Sequence, residues 1–339
     1  MVVYALRQSL LLLALLLTAS ALLFAASRLA LGDGVLLAQK APDPIRAAQI
    51  EARLGLDQPW PQQYLGYLGR FLTGNWGDSL VNQRSVAEEV SRRLPATLEL
   101  SLSALLLGTL LGVGLTLLAE AVPWVWSKRL PEALGVIGLT VPIFWLGLLL
   151  ILIGAVWLNV FPASGRFDYA ITRPTGTGFL LIDSLLAGDG RALGSTLRHL
   201  ALPAFCLSLF PAAIVSGLLR ARLAEPRWTR LVIALRAKGL SPTAIWLRHG
   251  LRLLGAPLII ALGTSCGLLL GGSVLTETVF AWPGMGRYLV GAVLDRDVFI
   301  IQYGLLAVMF LIFFVVWLAE LFAVAVNPRL AQTEDPDAR

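Results

Sequence analysis

Basic side chains are concentrated in one stretch of this chain, which lies between two long apolar runs. From Arg220 to Pro257 the sequence reads RARLAEPRWTRLVIALRAKGLSPTAIWLRHGLRLLGAP, in which Glu225 is the only acid. Cations at this density can bind an acidic surface of a partner protein, or they can keep a loop on the cytoplasmic side of a membrane. Nucleic-acid binding is the weaker interpretation of the net charge of +6, because the arginines cluster between apolar runs.

Residue patterns for nucleotide, zinc or redox chemistry are not found. A phosphate-binding loop needs a lysine directly after a glycine, but Lys40, Lys128 and Lys238 follow glutamine, serine and alanine. Neither H-E-x-x-H nor C-x-x-C occurs, and Cys206 and Cys266 lie inside apolar runs, where cysteine behaves as a small hydrophobe. We therefore expect no catalysis, no cofactor and no metal in this chain.

The elements that must position the basic stretch are transmembrane helices. With 57% hydrophobic and 14% charged residues and a mean hydropathy of +0.76, the chain is too apolar for an ordinary soluble protein. A helix needs about 20 apolar residues to cross the hydrocarbon core. Six uncharged runs reach this length: 8–27, 100–119, 133–165, 199–219, 253–276 and 298–319. The sequence predicts an all-α polytopic membrane protein with six transmembrane helices, the first of them uncleaved.

The basic stretch also sets the predicted orientation. If it is cytoplasmic, six spans place both termini in the cytoplasm and the segment 32–95 outside. Prolines divide that segment into short helical pieces such as 45–54 and 62–72, so we expect a small extracytoplasmic cap after the first helix. The predicted parts are residues 1–93 (first helix and cap), 94–327 (five helices, with the loop 220–257) and 328–339 (a cytoplasmic tail).

Two turns stand out among the predicted connections. In the basic stretch, a helix from about 228 to 238 should end at Gly239, and Ser241-Pro242 should begin a second helix that ends near Leu254. After the fifth span, Pro283-Gly284 forces a turn and Gly286 removes another side chain. The second turn therefore lets the chain fold back towards the membrane. The simplest interpretation of each is structural: a topology determinant and a tight connector.

Some residues within the spans also predict packing. Pro142 should break the third helix, and glycines at four-residue spacing should let the fifth helix approach a neighbour closely. These glycines are Gly263, Gly267, Gly271 and Gly272.

Residues Ala234 to Ser241, with Pro257 eighteen positions after Gly239, resemble the cytoplasmic EAA loop of ABC importer permeases, in the form typical of the dipeptide, oligopeptide and nickel group. Further stretches across nearly the whole chain are similar to the same group: Leu54–Pro59, Arg93–Leu100, Pro142–Gly147, Pro162–Arg166 and Glu277–Gly286. Ile233 stands where the wider superfamily has an acid, and Leu31-Gly32-Asp33-Gly34 replaces the usual Pro-Gly-Asp-Pro. These departures weaken any inference about substrate.

The resemblance implies a type I ABC importer permease fold in the cell membrane and a path for peptides or similar small solutes. Its expected partners are a second, homologous permease chain, two cytoplasmic ATPase subunits that bind ATP and Mg, and an extracytoplasmic substrate-binding protein. The implied ATPase-coupling residues are Ala234, Arg236, Ala237, Lys238, Gly239, Leu240, Ser241 and Pro257. The implied residues of an extracytoplasmic gate loop are Glu277, Trp282, Pro283, Gly284 and Gly286.

Two other functions compete with this one. An ATP-independent channel or secondary transporter should have a buried ionisable pair at mid-membrane and two inverted halves, and the sequence shows neither. A membrane scaffold would not depend on ATP. Peptides, nickel, glutathione and other small solutes all stay open as substrates.

Overall fold

The computed structural model describes residues 2–31, 45, 57–122 and 125–327, and the regular structure within them is helical apart from one isolated bridge between Asp78 and Ser85. The helices are α1 (Val2–Leu31), α2 (Trp60–Leu72), α3 (Val86–Ala121), α4 (Val125–Thr140), α5 (Ile143–Leu150), α6 (Leu180–Leu186), α7 (Gly190–Leu223), α8 (Pro226–Ala237), α9 (Pro242–Ile245), α10 (Leu251–Val279), α11 (Met285–Leu294) and α12 (Leu305–Val326). Short π-helical segments follow α5 (Ile151–Trp157) and precede α10 (Trp246–Gly250) and α12 (Ile300–Gly304).

Five helical segments are long and apolar enough to cross a membrane: Tyr4–Leu29, Val86–Glu120, Gly190–Leu223, Gly255–Val279 and Ile300–Val326. A further apolar pair of helices, Arg129–Thr140 and Ile143–Trp157, is bent by 110°. With this pair counted as one span, the predicted all-helical protein with six spans is confirmed.

The bend in the third span lies at Pro142. Proline has no N–H for the helical ladder and disfavours helical geometry at the residue before it, so the helix ends at Thr140 and restarts at Ile143. The predicted break at Pro142 is confirmed, but the span is shorter than the predicted run 133–165, because its second half ends at Trp157.

Helix α7 lies at the centre of the bundle and packs closely on α3 and α4. A Cβ added to Gly108 or Gly112 of α3 would lie 2.4 Å from the Ser208 carbonyl oxygen or 2.7 Å from that of Ala212. A Cβ at Gly138 of α4 would lie 2.3 Å from the Leu209 carbonyl oxygen. The absence of side chains at these glycines therefore allows backbone to approach backbone.

Helices α10 and α12 also approach each other closely at glycines. A Cβ at Gly263 would lie 2.1 Å from the Ala319 Cβ, and one at Gly267 would lie 3.0 Å from Val316 Cγ2. The predicted close approach is confirmed for these two glycines. It is wrong for Gly272, where an added Cβ would meet no atom of another described segment within 4 Å.

Successive spans alternate in direction, so the connections lie at two ends of the bundle. The end that carries residues 57–85, 158–189 and 280–299 is called the cap end, and the end that carries 224–250 is called the turn end. At the cap end, the Ser27 hydroxyl accepts a hydrogen bond of 2.6 Å from Gln302 Nε2, and Arg70 Nε donates to the Tyr303 hydroxyl at 3.0 Å. The cap helix α2 is thereby fixed to the start of the last span.

Several predicted boundaries move. Helix α7 begins at Gly190, nine residues before the predicted fourth span 199–219. The predicted loop 220–257 is shorter, because α7 continues to Leu223 and α10 begins at Leu251. The predicted second helix of the basic stretch is not separate, because it continues through a π-helical segment into α10. The tail 328–339 and, apart from residue 45, the predicted helix 45–54 lie outside the described residues.

Substitution of Gly263 by alanine should lower the stability of the purified chain, because the new methyl group overlaps Ala319. Overpacking of this kind costs about 1–3 kcal/mol. Gly272→Ala on the same helix is the matched control and should be neutral or slightly stabilising, since alanine favours a helix by up to about 1 kcal/mol over glycine. Thermal unfolding in detergent measures both. Equal melting temperatures for the two variants would contradict the packing.

Candidate functional site

The coupling turn, defined as residues Ala234 to Ser241, ends helix α8 with a Schellman motif. Gly239 adopts φ +82°, the Leu240 N–H donates to the Leu235 carbonyl at 3.2 Å, and the Gly239 N–H donates to the Arg236 carbonyl at 2.9 Å. An L-residue pays a steric penalty at this φ, so glycine is required by the backbone alone. The predicted glycine stop is confirmed.

The next helix begins as the sequence predicts. The Ala244 N–H donates to the Ser241 hydroxyl at 3.2 Å, which makes Ser241 the N-cap ahead of Pro242. Pro257 lies apart from the turn, inside helix α10.

The coupling turn presents its side chains to the surroundings. Within this stretch of the described chain, Ala234, Arg236, Ala237, Lys238, Gly239 and Ser241 are exposed and Leu240 is partly buried. A Cβ at Gly239 would meet nothing within 4 Å. Trp228 in the first turn of α8, by contrast, is buried. The surface is therefore small, basic and open, with the geometry of a docking surface.

At the cap end, the loop after α10 folds back, as predicted, and the structure shows that it packs on Glu277. The buried Glu277 carboxylate accepts the Thr97 hydroxyl at 2.6 Å, the Ser273 hydroxyl at 3.3 Å and the Arg287 N–H at 2.9 Å. Thr97 in turn accepts the Met285 N–H at 2.7 Å. One carboxylate therefore joins the starts of α3 and α11 to the end of α10.

The two glycines of this loop are required by its fit over Glu277. A Cβ at Gly284 would lie 2.4 Å from the Glu277 carboxyl group, and one at Gly286 would lie 2.8 Å from Val274 Cγ2. Pro283 is exposed at the tip of the turn, whereas Trp282 is fully buried and donates its Nε1–H to the Ala96 carbonyl at 2.9 Å. The predicted gate residues thus form one packed unit.

Next to this unit lies a buried ion pair that the sequence reasoning missed. Arg166 binds Glu99 through Nε at 3.0 Å and Nη2 at 2.6 Å, and the two side chains are 4% and 2% exposed. Arg166 Nη2 also donates to the Gly178 carbonyl, and Glu99 accepts the Leu181 N–H. Burial lowers the pKa of the Arg166 guanidinium, which the adjacent Glu99 opposes.

The pair is not the mid-membrane ionisable pair expected of a secondary transporter, because Glu99 lies at the edge of the uncharged run 100–119 and Arg166 lies in the cap-end segment 158–189. Arginine does not release its proton in proteins, so this pair cannot relay protons as a secondary transporter requires.

The Arg166 guanidinium also lies 5.7 Å from the centre of the Trp282 ring. We call the group Thr97, Glu99, Arg166, Glu277 and Trp282 the cap-end hub. The ion pair joins two stretches, Arg93–Leu100 and Pro162–Arg166, which the sequence analysis singled out because both resemble the same family. That shared resemblance could have indicated that the two stretches contact each other.

One motif in α10 imitates a catalytic one. Residues Gly263 to Gly267 read G-T-S-C-G and match the G-x-S-x-G pattern of a hydrolase nucleophile. That chemistry needs the serine exposed on a sharp strand-to-helix turn, whereas Ser265 is buried in the middle of a helix. The match therefore has no catalytic geometry.

The coupling turn and the cap-end hub lie at opposite ends of the bundle. Helix α10 follows the coupling turn through α9 and carries Glu277 near its other end. At 1.5 Å per residue, its 29 residues measure about 43 Å. One continuous helix thus connects the two groups of predicted residues.

Comparisons with known proteins agree on the kind of protein. The family of binding-protein-dependent transport system inner membrane components matches residues 104–332. The di/tripeptide transport system permease DppB of Pseudomonas aeruginosa is 38% identical over 311 residues, 91% of this chain and 93% of the relative. The dipeptide permease DppB of Escherichia coli K12 is 35% identical over 305 residues, covering 88% and 90%. A putrescine export system permease of the same strain is 32% identical over 257 residues, covering 75% and 80%.

Substitution of Arg166 by methionine should strongly destabilise the chain, because it leaves the Glu99 carboxylate buried without its cation. Removal of one partner from a buried pair costs about 3–5 kcal/mol. The control is Arg92→Met, which breaks the exposed pair between Arg92 and Glu88 and should cost less than about 1 kcal/mol. Unfolding titrations in mixed micelles measure both. A double variant, Glu99→Gln with Arg166→Met, should recover part of the loss, and its absence would contradict the pairing.

Proposed function

This chain belongs to the family of inner membrane components of binding-protein-dependent transport systems, the permeases of ABC importers, and we propose that it forms half of the membrane path for di- and tripeptides. The other half is a second, homologous permease chain. Substrate reaches this path from an extracytoplasmic binding protein, and two cytoplasmic ATPase subunits drive transport. The chain is not itself an enzyme and holds no cofactor, because ATP and Mg are bound by the ATPase subunits.

The observation that carries the proposal is the exposed Schellman turn on a chain of this family. Small residues at positions 234, 237 and 239 leave room for a partner surface, and Arg236 and Lys238 supply charge to an acidic groove. Helix α8 with its glycine turn therefore acts as a rigid handle for the ATPase subunits. The turn end is accordingly cytoplasmic, as are both termini.

The names of the relatives support peptides as the substrate. Di- and tripeptide permeases match nearly the whole chain, whereas the putrescine export permease matches about three quarters of it. Peptides remain the better candidate for that reason. Binding affinities of the cognate binding protein for a dipeptide and for putrescine test this choice directly.

The cap-end hub acts as part of the gate on the extracytoplasmic side. Its polar groups are satisfied by each other, so opening it would expose unpaired buried groups at a cost. We infer that the hub moves as one body and that the path opens beside it. The rival of an ATP-independent transporter gains no support from the ion pair between Glu99 and Arg166, since this pair lies at the cap end and not at mid-membrane.

Substitution of Gly239 by tryptophan should leave the chain in the membrane and uncouple ATP hydrolysis from uptake. The backbone at φ +82° penalises an L-residue by about 1–2 kcal/mol, and the indole would block the docking surface, so uptake should fall by roughly tenfold or more. Measurement of ATPase activity and peptide uptake in proteoliposomes separates the two effects.

The matched control for this substitution is Gly188→Trp. Gly188 has φ +63° and open space around it but lies at the cap end, so its variant carries a similar backbone penalty without touching the handle. Uptake should persist in this control. Normal uptake by Gly239→Trp, or an equal loss in both variants, would remove the turn from the mechanism.

Orientation is tested by cysteine labelling. A membrane-impermeant thiol reagent on intact cells should label Tyr169→Cys, whose side chain is fully exposed at the cap end, and should not label Lys238→Cys. After permeabilisation both should react. The native Cys206 and Cys266 are buried and give little background. Labelling of Lys238→Cys in intact cells would invert the proposed topology.

A further inference from the structure

We propose that a cleft at the start of α7 binds the phosphate of an anionic phospholipid headgroup. The cleft has a volume of about 510 Å³ and lies between the segment 159–171 and the first turns of α7. It is separate from the cap-end hub and from the coupling turn. The inference needs only that the chain spans a membrane, and it does not depend on the proposed transport function.

The charge of the cleft fits an anion. Arg191, Arg198 and His199 line it, against one acid, Asp168. The Asp168 carboxylate already accepts a hydrogen bond of 2.9 Å from the Ala170 N–H, so part of its hydrogen-bonding capacity is used within the chain. Neither arginine forms a salt bridge within the described residues, unlike Arg166 in the neighbouring hub. With two guanidinium groups against one carboxylate, the cleft keeps a net positive charge for a ligand that carries a phosphate.

The cleft is already shaped before any ligand binds. Arg198 Nη2 donates to the Val160 carbonyl at 3.0 Å, which fixes the loop to the helix. The His199 Nδ1 lies 2.8 Å from the Ser195 carbonyl oxygen, and the Ser195 hydroxyl accepts the Asp168 N–H at 2.9 Å. These bonds hold the walls in place, so little ordering is required on binding.

Its depth matches the headgroup layer. The uncharged run of α7 extends from His199 to Leu219, so Arg198 lies at the boundary of the hydrocarbon core. Arg191 lies seven residues further out, about 10 Å along the helix axis. A cation at each of these levels can reach a phosphate that sits at the bilayer surface.

The rim of the cleft is apolar and exposed. Trp157 and Leu158 end the third span next to the cleft and are 70% and 63% exposed, and Val160 and Leu197 are about half exposed. The same span continues inward with exposed Ile153 and Val156, along which acyl chains can lie. A water-soluble anion would gain no binding free energy from this apolar surface. A phospholipid has both a phosphate for the basic cleft and acyl chains for the apolar rim.

The test compares lipid binding by the wild type and by Arg191→Gln/Arg198→Gln. The chain, with the subunits that remain attached in mild detergent, is titrated with phosphatidylglycerol and with phosphatidylcholine of the same acyl chains, and bound lipid is counted by native mass spectrometry. An arginine near an anionic lipid surface contributes about fivefold in affinity, so the double variant should bind phosphatidylglycerol about 25-fold more weakly. Phosphatidylcholine should bind weakly and equally to both.

The control is Arg173→Gln/Arg287→Gln, which removes two exposed cap-end arginines that do not line this cleft and should leave phosphatidylglycerol binding unchanged. Unchanged thermal unfolding of both double variants without lipid verifies their fold. Equal phosphatidylglycerol binding by the Arg191/Arg198 variant and the wild type would overturn the proposal. Displacement of the lipid by millimolar inorganic phosphate would also overturn it. So would a wild type that binds phosphatidylglycerol no better than phosphatidylcholine, which is the result expected if another subunit covers the cleft.

Discussion

Helices in a bilayer gain little from burying apolar surface against one another, so their association depends on how closely the backbones approach. In this protein that approach is set by glycines on α3, α4 and α10. Gly108 and Gly138 bring their helices against the carbonyl groups of α7, and Gly263 brings α10 against the Ala319 side chain of α12. At the cap end of this bundle, Glu277 and Arg166 are buried away from water, and both obtain their hydrogen bonds from other groups of the protein.

Because water is excluded, the charged side chains of the cap-end hub must form their hydrogen bonds with other groups of the protein. A buried carboxylate without partners is costly, and Glu277 obtains hydroxyl and backbone donors where Glu99 obtains a cation. The two acids lie in one hub but are stabilised by different chemistry. At the turn end the opposite holds, since Arg236 and Lys238 of the coupling turn are exposed.

Local signals predicted much of this arrangement. Uncharged runs located the spans, Gly239 and Ser241-Pro242 located the coupling turn, and Pro283-Gly284 located the fold-back loop, because each depends on the backbone preferences of a few adjacent residues. The contact between Glu99 and Arg166 joins residues 67 positions apart and leaves no trace in periodicity or spacing. For the same reason the close approach of Gly108 to α7 was missed, and the bend at Pro142 was foreseen as a break but not as an angle of 110°.

The continuity of α10 has a mechanical consequence. The helix is about 43 Å long, with Pro257 near one end and Glu277 near the other. A rigid rod of this length that tilts by about 5° around its base moves its far end by about 4 Å, which is more than the length of a hydrogen bond. If the ATPase subunits rotate the base of α10 as proposed, the helix acts as a lever arm, and its stiffness sets how much displacement arrives at the opposite side of the bilayer.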